Sequence, residues 1–131
     1  MKLARSTVYA LIIMIHVAES WEKGCITLKS IAEEENLPVK YIEQIGSTLN
    51  KAGLVKSIRG LSGGYRLKRP PENYTVKSVI EVMEGGLTGN SEYEKGISCI
   101  ADFSREFYRI INDYLGRFTL AELTAKTTAD T

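Results

Sequence analysis

TLKSIAEEENLPVKYIEQIGSTLNKAGLVKSIRGLSGGYRL, residues 27–67, is the stretch from which the rest of the chain can be read. Thr27 stands where its hydroxyl can cap a helix whose apolar face is Leu28, Ile31 and Ala32. Asn36 suits the end of that helix, and Pro38 suits the first turn of the next. From Val39 onward, Ile42, Ile45 and Leu49 share one face, while Lys40, Tyr41, Glu43, Gln44, Ser47 and Lys51 point elsewhere. Gly53 fits a helix terminator after Ala52. Two short helices, the second longer and polar outside, form a helix-turn-helix pattern. The period then changes from helical to alternating. Leu54 to Arg59 reads as a strand, Gly60 to Gly64 as a turn, and Tyr65 to Lys68 as a returning strand stopped by Pro70-Pro71. A helix-turn-helix followed by a hairpin is a winged helix.

Upstream, Lys2 and Arg5 precede an almost wholly apolar run from Val8 to Ala18. Such a run resembles a secretory signal, but Tyr9 and His16 sit awkwardly in one. At eleven residues it is also short of the roughly twenty needed to span a bilayer. The reading adopted is a buried first helix capped by Ser6 or Thr7. Val8, Leu11, Ile12, Ile15 and Ala18 are its inward face and His16 is a core residue. On that reading the protein is cytoplasmic and not associated with a membrane, and its cysteines are reduced thiols.

Downstream, Thr75 caps a helix with Val76, Val79, Ile80 and Met83 inward, stopped by Gly85-Gly86. A glycine-rich loop follows. Ile100 to Phe118 is the longest helix candidate, with Phe103, Phe107, Ile110, Ile111, Tyr114, Leu115 and Phe118 on one stripe. Thr119 to Leu123 reads as a short final turn, and Thr124 to Thr131 as a frayed tail. The expected architecture is mainly α with a small β-hairpin. It divides into a winged helix-turn-helix domain over residues 1–84, a flexible loop and sensor region over 85–98, and a dimerisation helix with its tail over 99–131.

Composition narrows the function. The 131 residues are 44% apolar and 25% charged, which excludes a largely disordered chain or a collagen-like fibre. Two cysteines are too few for a disulfide scaffold or a four-thiolate zinc site, and one histidine excludes chemistry needing two. The net charge is only +1, but residues 1–80 carry +5 and residues 81–131 carry −4. Lys51 to Arg69 holds six basic residues and no acid. This asymmetry suggests a basic working surface and a separate acidic part.

A major groove about 12 Å wide admits one helix, and the second helix of the motif normally enters it. Its leading residues Lys40, Tyr41, Glu43 and Gln44 would then meet base edges. Lysine can donate to guanine, glutamate can accept from cytosine N4, and glutamine can pair with adenine. Ser47, Lys51 and Lys56 suit phosphates. Arg59 or Arg66 would reach the adjacent minor groove, with the Gly60 to Gly64 loop allowing close backbone approach. That loop lies between strands and lacks a Gly-Lys-Ser/Thr ending, so it is no P-loop. No nucleophile, base and orienting group occur together, and an enzyme is not expected. The long helix's apolar stripe either packs on Val8 to Ala18 or pairs with a second copy, and a two-fold dimer would read a palindrome.

Specific blocks also carry a resemblance. They are Met1-Lys2-Leu3, Tyr9-Ala10-Leu11, Leu28 to Ala32, Lys40 to Ile45, Lys51 to Gly60, Gly63 to Leu67, Val79-Ile80, Glu84-Gly85 and Thr119 to Leu123. Over nearly its whole length the chain resembles the Rrf-two family of bacterial winged-helix regulators. The resemblance implies a homodimeric transcription factor on double-stranded DNA, joined through the long C-terminal helix, with Glu43 and Gln44 facing bases. Many members hold an iron–sulfur cluster on three closely spaced cysteines before that helix. Here the region from Gly85 to Ile100 contains Cys99 alone. A cluster generally needs about four thiolate or equivalent ligands, so the chain resembles the cluster-free branch and no cofactor is expected. Members of that branch respond to thiol state, a small-molecule effector or a partner metabolic enzyme. Cys99, just before the long helix, is the candidate sensor thiol, the alternative being a small buried apolar residue. Two other readings stay open. One is a redox sensor with unconventional cluster ligands that include Cys99. The other is a winged-helix module that binds protein and not DNA.

Overall fold

The computed structural model describes residues 3–85 and 98–129. Six helices and one hairpin follow in order: α1 (Arg5–Glu19), α2 (Leu28–Glu35), α3 (Val39–Lys51), β1 (Val55–Ile58), β2 (Gly64–Leu67), a 3-10 turn (Pro71–Asn73), α4 (Val76–Glu84), α5 (Ser98–Leu115) and α6 (Leu120–Ala129). The expected architecture, mainly α with a small hairpin, is the one found. The expected loop and sensor region falls almost wholly on residues 86–97, outside the described residues.

Thr27, Asn36 and Thr75 set helix ends as read, whereas Pro38 is the extended N-cap of α3 and lies before its first turn. Thr27 Oγ1 accepts from the Ser30 amide, and Thr75 Oγ1 accepts from the Ser78 amide, both at 3.1 Å. Asn36 closes α2 in the left-handed region at φ 55°. The core joins Ile13, Met14 and Val17 of α1, Leu28 and Ile31 of α2, and Ile42, Ile45 and Leu49 of α3. Val55 and Leu67 of the hairpin, Val79 of α4 and Leu120 of α6 complete it. α1 is the central helix, packed by α4, α3 and α6.

The first helix corrects its expected face and cap. Thr7 is not a cap but a buried residue within α1, and Ala4 is the N-cap. Thr7 Oγ1 donates to Glu84 Oε1 at 2.7 Å, and the same oxygen accepts from the Ala4 amide at 3.2 Å. A carboxylate from α4 thus satisfies the start of α1, where the helix dipole favours negative charge. The inward face is Ala10, Ile13, Met14, Val17 and Ala18, of which only Ala18 was expected, while Val8 is exposed. Where every position is apolar, periodicity cannot choose a face. His16 is buried as expected, and it is also paired: Nε2 lies 2.7 Å from Glu35 Oε1 at the end of α2.

The C-terminal half departs similarly. The long helix begins at Ser98 and stops at Leu115, so Phe118 lies beyond it. The final turn extends into α6, helical through Ala129, where a frayed tail was expected. Thr119 caps α6 by accepting from the Glu122 amide at 3.1 Å, and Leu120 is fully buried. The backbones of Thr75 and Thr119 meet in a bridge. A short periodic segment gives no sign of such a long-range partner.

Candidate nucleic-acid interface

The surface of α3 divides cleanly. Ile42, Ile45, Gly46 and Leu49 are buried against the core. Lys40, Glu43, Gln44, Thr48 and Lys51 are exposed, with Ser47 half-buried among them. These positions recur at the three- and four-residue spacing of one helix face, so they form a continuous polar stripe. Sequence reasoning missed Thr48, although its spacing from Gln44 would have included it. Its hydroxyl is turned inward to donate to the Gln44 carbonyl at 3.2 Å. Tyr41 sits beside the stripe: its ring meets Tyr9 of α1 edge to face, with centroids 5.4 Å apart.

The angle between α2 and α3 is held by close approach at Gly46. A Cβ there would lie 2.4 Å from Leu28 Cδ1. Any larger residue must therefore push the buried Leu28 side chain aside.

The wing is an antiparallel pair in the register Val55 with Leu67, Lys56 with Arg66, Ser57 with Tyr65 and Ile58 with Gly64. It is two residues shorter on β1 than expected, and β2 starts one residue earlier. Three anchors fix it. Ile26 and Tyr65 exchange backbone hydrogen bonds of 3.1 and 2.7 Å, which adds the linker before α2 to the sheet edge. The buried Tyr74 hydroxyl donates to the Leu54 carbonyl at 2.7 Å and accepts from the Lys68 and Arg69 amides at 3.1 and 3.3 Å. Finally, Arg66 turns back onto Trp21, with its guanidinium 4.8 Å from the ring centre and Nη2 donating to the Trp21 carbonyl at 3.2 Å.

Arg59 or Arg66 was expected at the minor groove, and of the two Arg66 is half-buried and engaged with Trp21. Arg69 likewise lies over the Tyr74 ring at 5.1 Å. Lys51, Lys56, Arg59 and Lys68 remain exposed. Arg59 and Gly60 follow directly on β1, at its outer end. The tip itself is Leu61 and Ser62, both exposed, and the sequence reading gave Leu61 no role.

The second surface of note is α5. Ile100, Phe103, Ile110 and Tyr114 are exposed along it, Phe103 by 67%. Phe103 and Phe107 stack with centroids 6.0 Å apart. The alternative in which this stripe packs on α1 of the same chain is not what is found: the main neighbour of α5 is α4. Ion pairs flank the stripe, Arg105 with Asp102 and Arg109 with both Glu106 and Asp113. The Arg109 guanidinium, by hydrogen bonding and by charge, holds the Glu106 carboxyl below the usual carboxylate range.

Cys99 lies in the first turn of α5 and is exposed, so the reading of a small buried residue does not hold. Cys25 is half-buried in the α1–α2 linker. Among the described residues no three His, Cys, Asp or Glu side chains are grouped to hold a metal. The chain has two cysteines, on separate elements, and residues 86–97 contain neither cysteine nor histidine. This donor set does not fit a three-cysteine cluster site. Among the described residues, no helix is long and apolar enough to cross a membrane.

Residues 3–126 match the Rrf2 family model, described as an iron-dependent transcriptional regulator. The HTH-type transcriptional regulator CymR of Bacillus subtilis (strain 168) is 46% identical over 88 residues, which span 67% of this chain and 64% of that protein. The structure of CymR (YrzC), the global cysteine regulator of B. subtilis, superposes with a TM-score of 0.86 at 35% identity, covering 96% of this chain and 98% of that one. IscR of T. potens superposes with a TM-score of 0.82 at 31% identity, covering 97% and 88%. With the family match running over nearly its whole length, the chain belongs to the Rrf2 family of DNA-binding, HTH-type transcriptional regulators.

Proposed function

We propose that the protein is a homodimeric repressor that reads a palindromic operator. Its α3 enters the major groove and its wing lies along the adjacent minor groove. The observation that carries this reading is the unbroken polar stripe of α3, exposed over a fully apolar inner face. In this docking Lys40, Glu43 and Gln44 meet base edges, and Ser47, Lys51 and Lys56 meet phosphates. Arg59 and the Gly60 backbone approach the minor groove, where a narrow A·T segment attracts arginine. Tyr41 supports the stripe from its side, and Arg66 holds the wing through Trp21.

Dimerisation is assigned to α5. A helix with Phe103 open to water, stacked on the half-buried Phe107, lacks a partner that a second copy supplies by two-fold symmetry. The regulator works without a three-cysteine iron–sulfur cluster, because the chain does not contain the ligands. Its signal is a redox change, a metabolite or a partner protein, with the exposed Cys99 the candidate where thiol chemistry is involved. The cytoplasm, where its DNA target lies, is the compartment this function requires.

The test is selection of duplexes from a random pool, followed by titration of the recovered sequence at several salt concentrations. The expected result is a palindrome with half-sites about one helical turn apart. Its affinity should fall steeply with salt through counterion release. Recovery of no preferred sequence, with binding indifferent to salt, would refute the reading in favour of a protein-interaction module.

A further inference from the structure

The wing ends in an apolar side chain that the docking above does not use. Leu61 is 110% exposed relative to a reference chain, the most open large hydrophobic among the described residues. Single exposed leucines are ordinary on protein surfaces, so exposure alone decides nothing. Leu61 differs in how it is held and in what surrounds it. The Gly63 amide donates to the Gly60 carbonyl at 3.0 Å, closing the turn beneath it. Gly60 takes φ +115°, and a Cβ on Gly63 would fall 2.2 Å from the Ile58 carbonyl oxygen. The turn is therefore one that glycine alone allows, and it projects Leu61 from a hairpin anchored by Ile26, Trp21 and Tyr74. Little ordering cost remains when such a side chain meets its target. Arg59, two residues before it, is an exposed cation, and no acid occurs from Lys51 to Arg69. The occupant that fits an apolar tip in a cationic frame is polyanionic with an apolar recess.

We infer that Leu61 is an apolar wedge that enters the minor groove beside Arg59 and favours A·T over G·C there. This rests on the docking proposed above. The minor groove offers sugar carbons along its walls, and side chains of this class insert into it. Its A·T floor carries acceptors only, whereas a G·C pair adds the guanine N2 amino group. A leucine against that amino group would strip it of water with no acceptor in return.

The experiment titrates wild type, Leu61→Ala, Leu61→Ser and Arg59→Ala on the duplex recovered by selection. Three versions of the wing-facing segment are used: A·T, G·C and inosine·C, which lacks the N2 amino group. Leu61→Ala should lose about tenfold in affinity for the A·T duplex, the scale of the apolar surface removed. The slope of affinity against salt should stay unchanged, because no charge is lost. Wild type should bind inosine·C nearly as well as A·T and better than G·C, and Leu61→Ser should shrink that gap. Unchanged affinity in Leu61→Ala, or no recovery with inosine·C, overturns the wedge. If Arg59→Ala weakens binding while Leu61→Ala does not, the wedge alone fails. If neither does, the wing is not in the groove and the docking fails with it. A change in the sedimentation of Leu61→Ala without DNA would make Leu61 a contact between copies, which also overturns the proposal.

Discussion

α3 and α5 are both amphipathic helices, yet only α3 hides its apolar face from water. α3 buries Ile42, Ile45 and Leu49 and exposes its polar stripe. α5 leaves Ile100, Phe103, Ile110 and Tyr114 in solvent. The first helix is complete within one chain, and its outer surface is free to be a reading surface. The second is incomplete, and its outer surface asks for a partner. Substitutions on the two helices should therefore act on different observables: sequence preference for α3, assembly for α5.

The largest effect expected is on α5. Phe103→Glu puts a charge into the proposed seam, and sedimentation should show monomer at concentrations where wild type is dimeric. Operator affinity should fall by about a hundredfold or more, because two half-sites no longer bind together. Helical circular dichroism should be retained, since Phe103 is not part of the core. A dimer that survives with full affinity would erase the contrast between the two helices.

Next come the base readers. Glu43→Ala and Gln44→Ala should each relax discrimination at one position per half-site by roughly 1–3 kcal/mol while leaving the dimer intact. Binding to single-base operator variants checks this, and an unchanged preference would remove α3 from the major groove. A similar magnitude applies to the scaffold beneath. Tyr74→Phe strands the Leu54 carbonyl and two amides, and should cost about 1–3 kcal/mol in urea unfolding. Gly46→Ala, which must displace Leu28, should cost about 1–3 kcal/mol in the same assay. The smallest expected effect is Lys51→Ala: a reduction of the salt slope by about one unit, uniform across sequences.

The α2–α3 unit was legible because its signals are local. Thr27, Asn36 and Pro38 punctuate it within twelve residues, and Ile42, Ile45 and Leu49 alternate with polar neighbours. The stripe of candidate readers followed from the same period. What stayed hidden depends on contacts between distant segments. Thr7 looked like a cap until Glu84 arrived, and Arg66 looked free until Trp21 lay beneath it. Ile26 joins the wing as a single bridging residue, too short a strand to leave a pattern. Leu61 was passed over because an apolar residue in a turn gives no periodic signal of where it points.

Glu84 has a further consequence for how the molecule is made. The donors at the start of α1 are met by an acceptor 77 residues beyond Thr7, and Leu120 of α6 completes the packing on the same helix. On the ribosome the first helix emerges long before either partner, while chain growth proceeds at about 5–20 residues per second. The helix-turn-helix can assemble as soon as the hairpin is out. The helix at the centre of the fold must wait for α4 and α6, so a segment made before both is among the last to be secured.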